Sequence, residues 1–262
     1  MRVGLVRFPG RIMKILLTVV LLLASFAAQA QACSRQSPAH TIALVELFTS
    51  EGCDSCPPAD RYLSSLKTRL RADQMVALSL HVDYWDYIGW KDVFARPAFT
   101  ERQRWLAAAV NSRAVYTPQV FMAGRELRQW QTLPEAVAKV NARPSRAQIG
   151  IVLGQPVKGS LPVTVNAGSA QAGKLIVALY ENSLVSEVKA GENRGVTLRH
   201  DHVVREWLSP VALAANAARL TQSVSLPVGA AMANLGVAAF VQAENGEVLQ
   251  ALNLPLCAPG GG

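Results

Sequence analysis

Hydrophobic and polar positions follow two different regimes along this chain. In the first half, apolar runs alternate with helical patterns. Thr41 to Phe48 carries Ile42, Leu44, Val45, Leu47 and Phe48 with Glu46 as its one charge, which predicts a buried strand. Ala59 to Leu70 places Tyr62, Leu63, Leu66 and Leu70 at helical spacing, and Met75 to Val82 is a second strand-like run. This β–α–β order implies a parallel strand pair joined by a right-handed crossover. Pro97 to Val110 reads as a helix with Phe99, Trp105, Leu106 and Val110 inward, and Val115 to Met122 as a strand with an early proline. Gly124-Arg125 turns the chain. Leu133 to Val140 is a closing helix, with Thr132 as N-cap and Pro134 in its first turn.

The regime changes at Arg143-Pro144-Ser145-Arg146, a polar linker. Short β-like runs follow at 149–153, 161–165, 175–180, 196–204, 224–226, 237–241 and 248–252, with Gly, Pro and Asn in the gaps. Asn245-Gly246 between two of them is a hairpin signal. The pattern predicts an α/β domain over 41–142, a linker over 143–148 and a small all-β sandwich over 149–262. There is no internal repeat.

The N-terminus is of another kind. Ile15 to Ala28 is apolar, follows Arg2, Arg7, Arg11 and Lys14, and ends in Ala28-Gln29-Ala30. Basic region, short apolar run and small-x-small site predict a signal peptide over 1–30, followed by a polar tether over 31–40. Its removal takes four basic and no acidic side chains and lowers the formal net charge from +8 to +4. That mild balance without a Lys/Arg block gives no case for nucleic acid. No later run is long enough to span a membrane, so the expected location is periplasmic or secreted.

Four cysteines remain, an even number for an oxidising compartment. Pairing by position gives Cys53–Cys56 as a functional couple and Cys33–Cys257 as a staple between the ends. A lipid-modified Cys33 is the competing reading. Cys53 and Cys56 stand where a strand meets a helix, and unpaired N–H groups at a helix start stabilise a thiolate. Cys53 is therefore the expected attacking thiol, at the helix N-cap, and Cys56 the resolving one. The alternative is a structural disulfide in a non-catalytic binding module. Zinc would need further ligands at similar spacing; neither a metal at His81, His200 or His202 nor an organic cofactor is expected. Glu46 reads as a proton acceptor serving Cys56, or else as an ion-pair partner. Thr117-Pro118 is either a substrate-facing element beside the sulfurs or the start of an edge strand. Tyr84, Trp85 and Trp90, in the aromatic stretch 81–94, are read as a substrate-facing lip or as core filling. Gly191 to Gly195 is a tight loop whose Glu192 and Arg194 could reach the first domain.

Strand, Cys-x-x-Cys helix, strand, helix, Pro-strand and final helix is the order of a thioredoxin-like domain, in which the X-Pro bond is cis and faces the dithiol. Glu46 to Asp60 (ELFTSEGCDSCPPAD), His81 to Asp92 (HVDYWDYIGWKD) and Val115 to Gln119 (VYTPQ) together resemble a bacterial family of secreted thioredoxin-like proteins still named as a domain of unknown function. The resemblance extends to Gly191 to Gly195, Thr197-Leu198 and His200 to Glu206, and so covers nearly all the chain after residue 30. It implies an α/β thioredoxin-like domain followed by a small all-β sandwich. The family has no assigned substrate, so the expected activity, thiol–disulfide exchange with protein or small-thiol partners, rests on the dithiol itself.

Overall fold

Strand β2 (Ala43–Thr49) is buried on both faces, and its alternation feeds two cores. Leu44 and Phe48 point into one; Ala43, Val45 and Leu47 point into the other. The computed structural model describes residues 33–257 other than 113 and 215, so the signal-peptide region lies outside the described residues. β2 runs parallel to β3 (Met75–His81), from Ala43 opposite Met75 to Thr49 opposite His81. The crossover between them is helix α1 (Pro57–Ser65), with proline at its first positions and Ala59 and Leu63 buried against the odd-numbered side chains of β2.

Helix α3 (Leu133–Asn141) covers the same face through Leu133, Val137 and Val140. Helix α2 (Pro97–Ala109) covers the opposite face through Phe99 and Leu106. Trp105, expected on the inner side of α2, is exposed. β4 (Gln119–Met122) pairs antiparallel with β2, and β5 (Arg125–Glu126) closes that edge.

The expected α/β thioredoxin-like domain followed by a separate sandwich is corrected by the strand order. The large sheet reads β15-β14-β8-β11-β3-β2-β4-β5, with β12 (Val211–Ala212) also on β8. It joins β8 (Lys174–Glu181), β11 (Val203–Trp207), β14 (Leu235–Gln242) and β15 (Val248–Pro255) directly to the strands of the first half. A second sheet, β1-β6-β7-β13, holds Cys33–Gln36, Ala147–Leu153, Ser160–Ser169 and Ala217–Ser225. β9 (Leu184–Glu187) and β10 (Thr197–His200) form a hairpin. The four-stranded sheet and α2 share one large core with the nine-stranded sheet.

The physical reason lies in the strands. Leu175 to Tyr180 and Leu235 to Gln242 are buried at every position, which suits the interior of a wide sheet covered on both faces. A small sandwich exposes one face of each strand. The seam is β11 on β3, where Val203 stands parallel to Ser79. There Ser79 N–H donates to His202 O at 2.8 Å, and Ser79 Oγ–H donates to Asp201 O at 3.0 Å.

His202, in the left-handed region at φ 60°, also carries a pH response. Its Nε2 is sealed from solvent without a hydrogen-bond partner among the described residues. Burial holds its pKa down at about 4, from an ordinary 6.5, against Asp201, while Lys67 helps lower it. Between those values the unfolded chain binds a proton that the native chain refuses. Stability therefore falls as pH drops through that range, by up to about 3 kcal/mol. His202→Asn, which tolerates positive φ, is expected to remove this part of the acid slope. Denaturant midpoints at pH 7 and pH 4.5 check it.

Candidate functional site

The loop from Ser50 to Cys56 leaves the end of β2 and enters α1. Cys53 N–H donates to Ser50 O at 3.2 Å and Cys56 N–H to Cys53 O at 3.3 Å. Asp60 N–H in turn donates to Cys56 O at 3.1 Å. Cys56, rather than Cys53 as expected, is the helix N-cap residue. The two cysteines are joined by a disulfide with Cα atoms 5.4 Å apart, and both are 0% exposed, while Asp54 and Ser55 face solvent.

Two segments distant in sequence cover this loop. Gly52 is packed so closely that a Cβ there would lie 3.1 Å from Trp85 Cβ and 3.3 Å from Ile88 Cδ1. Gly191, at φ +73°, leaves similarly little space beneath Ile88 and Trp90. The loop after Gly191 then clamps the dithiol turn. Asn193 Nδ2 donates to Glu51 O at 2.8 Å and to Cys53 O at 3.0 Å, and Glu192 Oε2 accepts from Asp54 N–H at 3.1 Å. Of the two residues expected to reach across, Glu192 does so; the buried contact belongs to Asn193.

Behind the loop lies a cluster of buried ionisable groups: Glu51, Asp60, His81, Asp92 and His200. Asp92 Oδ2 is 2.6 Å from His81 Nδ1 and accepts from Glu51 N–H at 2.9 Å, while its Oδ1 accepts from Phe94 N–H at 2.9 Å. Glu51 Oε2 accepts from Trp90 Nε1–H at 2.7 Å. Its Oε1 lies 3.2 Å from His200 Nε2, at an angle that leaves both atoms without an aligned hydrogen bond. The His81 and His200 rings meet edge to face at 5.0 Å, with Phe94 against both.

Burial works against charge on His81, yet Asp92, with Asp60 and Glu51, raises its pKa. Burial likewise works against the Asp92 carboxylate, but His81 and two backbone N–H groups hold its pKa below the ordinary value. Asp60 goes the other way. Burial pushes its pKa up, opposed by His200, His81 and the Thr49 hydroxyl and assisted by Asp92. Thr49 Oγ1–H donates to Asp60 Oδ2 at 3.1 Å. Among the described residues no group of His, Cys, Asp or Glu is arranged to hold a metal ion.

The other predicted residues divide. Phe48 opposite Gln119 sets Pro118 at the end of β4 nearest Thr49, beside the start of the dithiol loop. The Thr117–Pro118 peptide is cis, and Thr117 Oγ1 accepts from Trp85 Nε1–H at 2.7 Å. Tyr84, Trp85 and Trp90 are half-buried, and Tyr84 and Trp85 pack on the large core; the aromatic side chain most exposed in this segment is Tyr87, at 82%. Glu46 is on the opposite face of β2 from α1. There Arg102 grips its carboxylate from α2, with Nη2 donating to Oε2 at 2.9 Å, and Arg102 also reaches Gln242. Cys33 and Cys257 form the second disulfide.

Sequence reasoning assigned no role to Glu51, Asp60, Asp92 or Asn193. Asp60 carried a signal: it is four residues after Cys56, on the apolar helix face between Ala59 and Leu63.

A buried disulfide at the mouth of a helix, backed by ionisable groups and set in a mixed sheet, defines a disulfide-bearing β-rich protein. The chain belongs to the family described as Protein of unknown function (DUF1223), whose model matches residues 44–242. It is similar in structure to the crystal structure of protein AGR_C_4864 from Agrobacterium tumefaciens, with a TM-score of 0.60 and 25% identity. That match covers 85% of this chain and 98% of the other. No curated protein matches the chain. The two disulfides are compatible with an extracytoplasmic location, and among the described residues no helix is long and apolar enough to cross a membrane.

Proposed function

We propose that this is a periplasmic or secreted thiol–disulfide exchange protein, with Cys53 attacking and Cys56 resolving. The observation that carries the reading is a Cys-x-x-Cys disulfide closed at the start of α1 above buried acids and imidazoles. A purely structural cross-link has no use for ionisable groups kept out of water, which cost stability. Exchange does, because thiols and thiolates differ by protons. Thr117, Pro118 and the aromatic segment over Gly52 border the same loop and would receive a partner's chain.

The complete burial of both cysteines favours a second reading, a stapled binding module whose disulfide never exchanges. One experiment separates them. Cys56→Ser, reduced and mixed with oxidised glutathione, is expected to accumulate a mixed disulfide on Cys53 that dithiothreitol releases, as read by intact mass. Cys53→Ser is expected to accumulate far less. Absence of adduct in Cys56→Ser, with native circular dichroism retained, would leave only the binding module.

A further inference from the structure

Closing the disulfide removes a proton from Cys56, and that residue is sealed from water. A buried base beside Cys56 gives this proton a direct route. Of the carboxylates nearby, Glu46 lies on the far face of β2, tied to Arg102. Glu51 has one oxygen on Trp90 and the other 3.2 Å from the His200 ring, and it precedes α1 in the loop; Asp92 is taken by His81 and two backbone N–H groups. Asp60 is held by a single hydroxyl, that of Thr49. It stands one helical turn after Cys56, a spacing that brings side chains to about 5–6 Å at Cβ, and it is buried like the cysteine.

We propose that Asp60 is the proton acceptor for Cys56 when the mixed disulfide resolves, and its donor when the disulfide is reduced. The proposal rests on the exchange reading and adds the residue that moves the proton. The Cys53 thiolate attacks one sulfur of a partner disulfide; that bond breaks and the other partner sulfur leaves as a thiolate. Cys56 Sγ–H gives its proton to the Asp60 carboxylate, and the freed sulfur attacks Cys53 Sγ. The Cys53–partner bond breaks, and the remaining partner sulfur leaves as a thiolate that takes a proton from solvent. The partner disulfide gains two electrons and the dithiol loses them.

The surroundings suit the task. A carboxylate made more basic by burial is a better acceptor for a thiol proton. His81 from β3, His200 from β10, Asp92 from the loop after β3 and Thr49 from β2 are the charged and polar groups that act on it. Burial, with Asp92 adding to it, raises the pKa of this acid, while the two imidazoles and the Thr49 hydroxyl favour its charged form.

The test follows the lifetime of the Cys53–glutathione adduct after reduced protein meets oxidised glutathione, quenched by alkylation across pH 5 to 9. In the unmodified protein, resolution is expected to rise with pH as Asp60 ionises. Asp60→Asn is expected to slow it about 100-fold and erase that limb. Thr49→Val keeps the carboxyl but removes the hydrogen bond that favours its charge, so the limb is expected to move to higher pH. It decides the matter should the asparagine variant not fold. Unmoved limbs overturn the proposal while leaving exchange intact. An unmodified protein that forms no adduct and whose disulfide resists dithiothreitol overturns exchange, and this proposal with it.

Discussion

Serine at both Cys33 and Cys257 is expected to lower the unfolding free energy by about 5 kcal/mol in the chain-entropy estimate. The bond joins residues 224 apart, so it closes a loop of nearly the whole described chain. Without it the unfolded ensemble gains the freedom of an open chain, and the native state loses a tie between β1 and the end of β15. Cys33 opens β1, which pairs with β6 from Cys33 opposite Leu153 to Gln36 opposite Gly150. Cys257 follows β15, the edge strand of the large sheet. The bond therefore links the two sheets that enclose the large core. Urea unfolding of the double variant against the unmodified protein reads the loss. A midpoint shift equivalent to less than about 1 kcal/mol would mean that β1 pairing alone fixes the ends.

Asp92→Ala is expected to cost about 3–5 kcal/mol, the range for removing one partner of a buried ion pair. Asp92 receives His81, Glu51 N–H and Phe94 N–H together. Alanine strands all three donors in a site with no solvent, one of them on the His81 ring. Asp92→Asn retains acceptor capacity and is expected to cost less.

The pair also has a pH signature. The raised pKa of His81 contributes stability that is complete below its ordinary 6.5 and is lost as pH rises through the folded value. The lowered pKa of Asp92 contributes stability that is complete above its ordinary 3.8 and is lost as pH falls through the folded value. Between those two pH values both contributions are present, so the cost of Asp92→Ala should be greatest there. Unfolding free energies at pH 5.5 and pH 8.5 test this. Equal costs at both would show that His81 is neutral in the native state.

Single positions explain how the sequence could place the dithiol and miss its surroundings. Cys53 and Cys56 were legible because strand, turn and helix signals are local: the apolar run of β2, the prolines at the start of α1 and the spacing of Ala59 and Leu63. Glu46 was legible as an isolated charge in a strand, but its partner Arg102 lies 56 residues away on α2, and only packing selects it. Asn193, 140 residues from Cys53, carries no periodic or chemical signal in a glycine-flanked loop.

By itself the sequence determined the order of helices and main strands in the first half, though α1 ends at Ser65 rather than Leu70 and β4 begins at Gln119 rather than Val115, together with the cysteine pairs and the β-rich character of the second half. These follow from near-neighbour spacing, side-chain periodicity and the chemistry of proline and glycine. The tertiary structure alone decided that β11 would join β3, turning two expected domains into one nine-stranded sheet with a shared core. A strand's pattern specifies which face is buried; it does not specify which of several open edges its backbone N–H and C=O groups will meet. The buried group of Glu51, Asp60, His81, Asp92 and His200 was decided by packing as well. Glu51, Asp60, His81 and Asp92 come from α1, β3 and two loops of the first half, and β10 of the second half adds His200 beside Glu51 and His81.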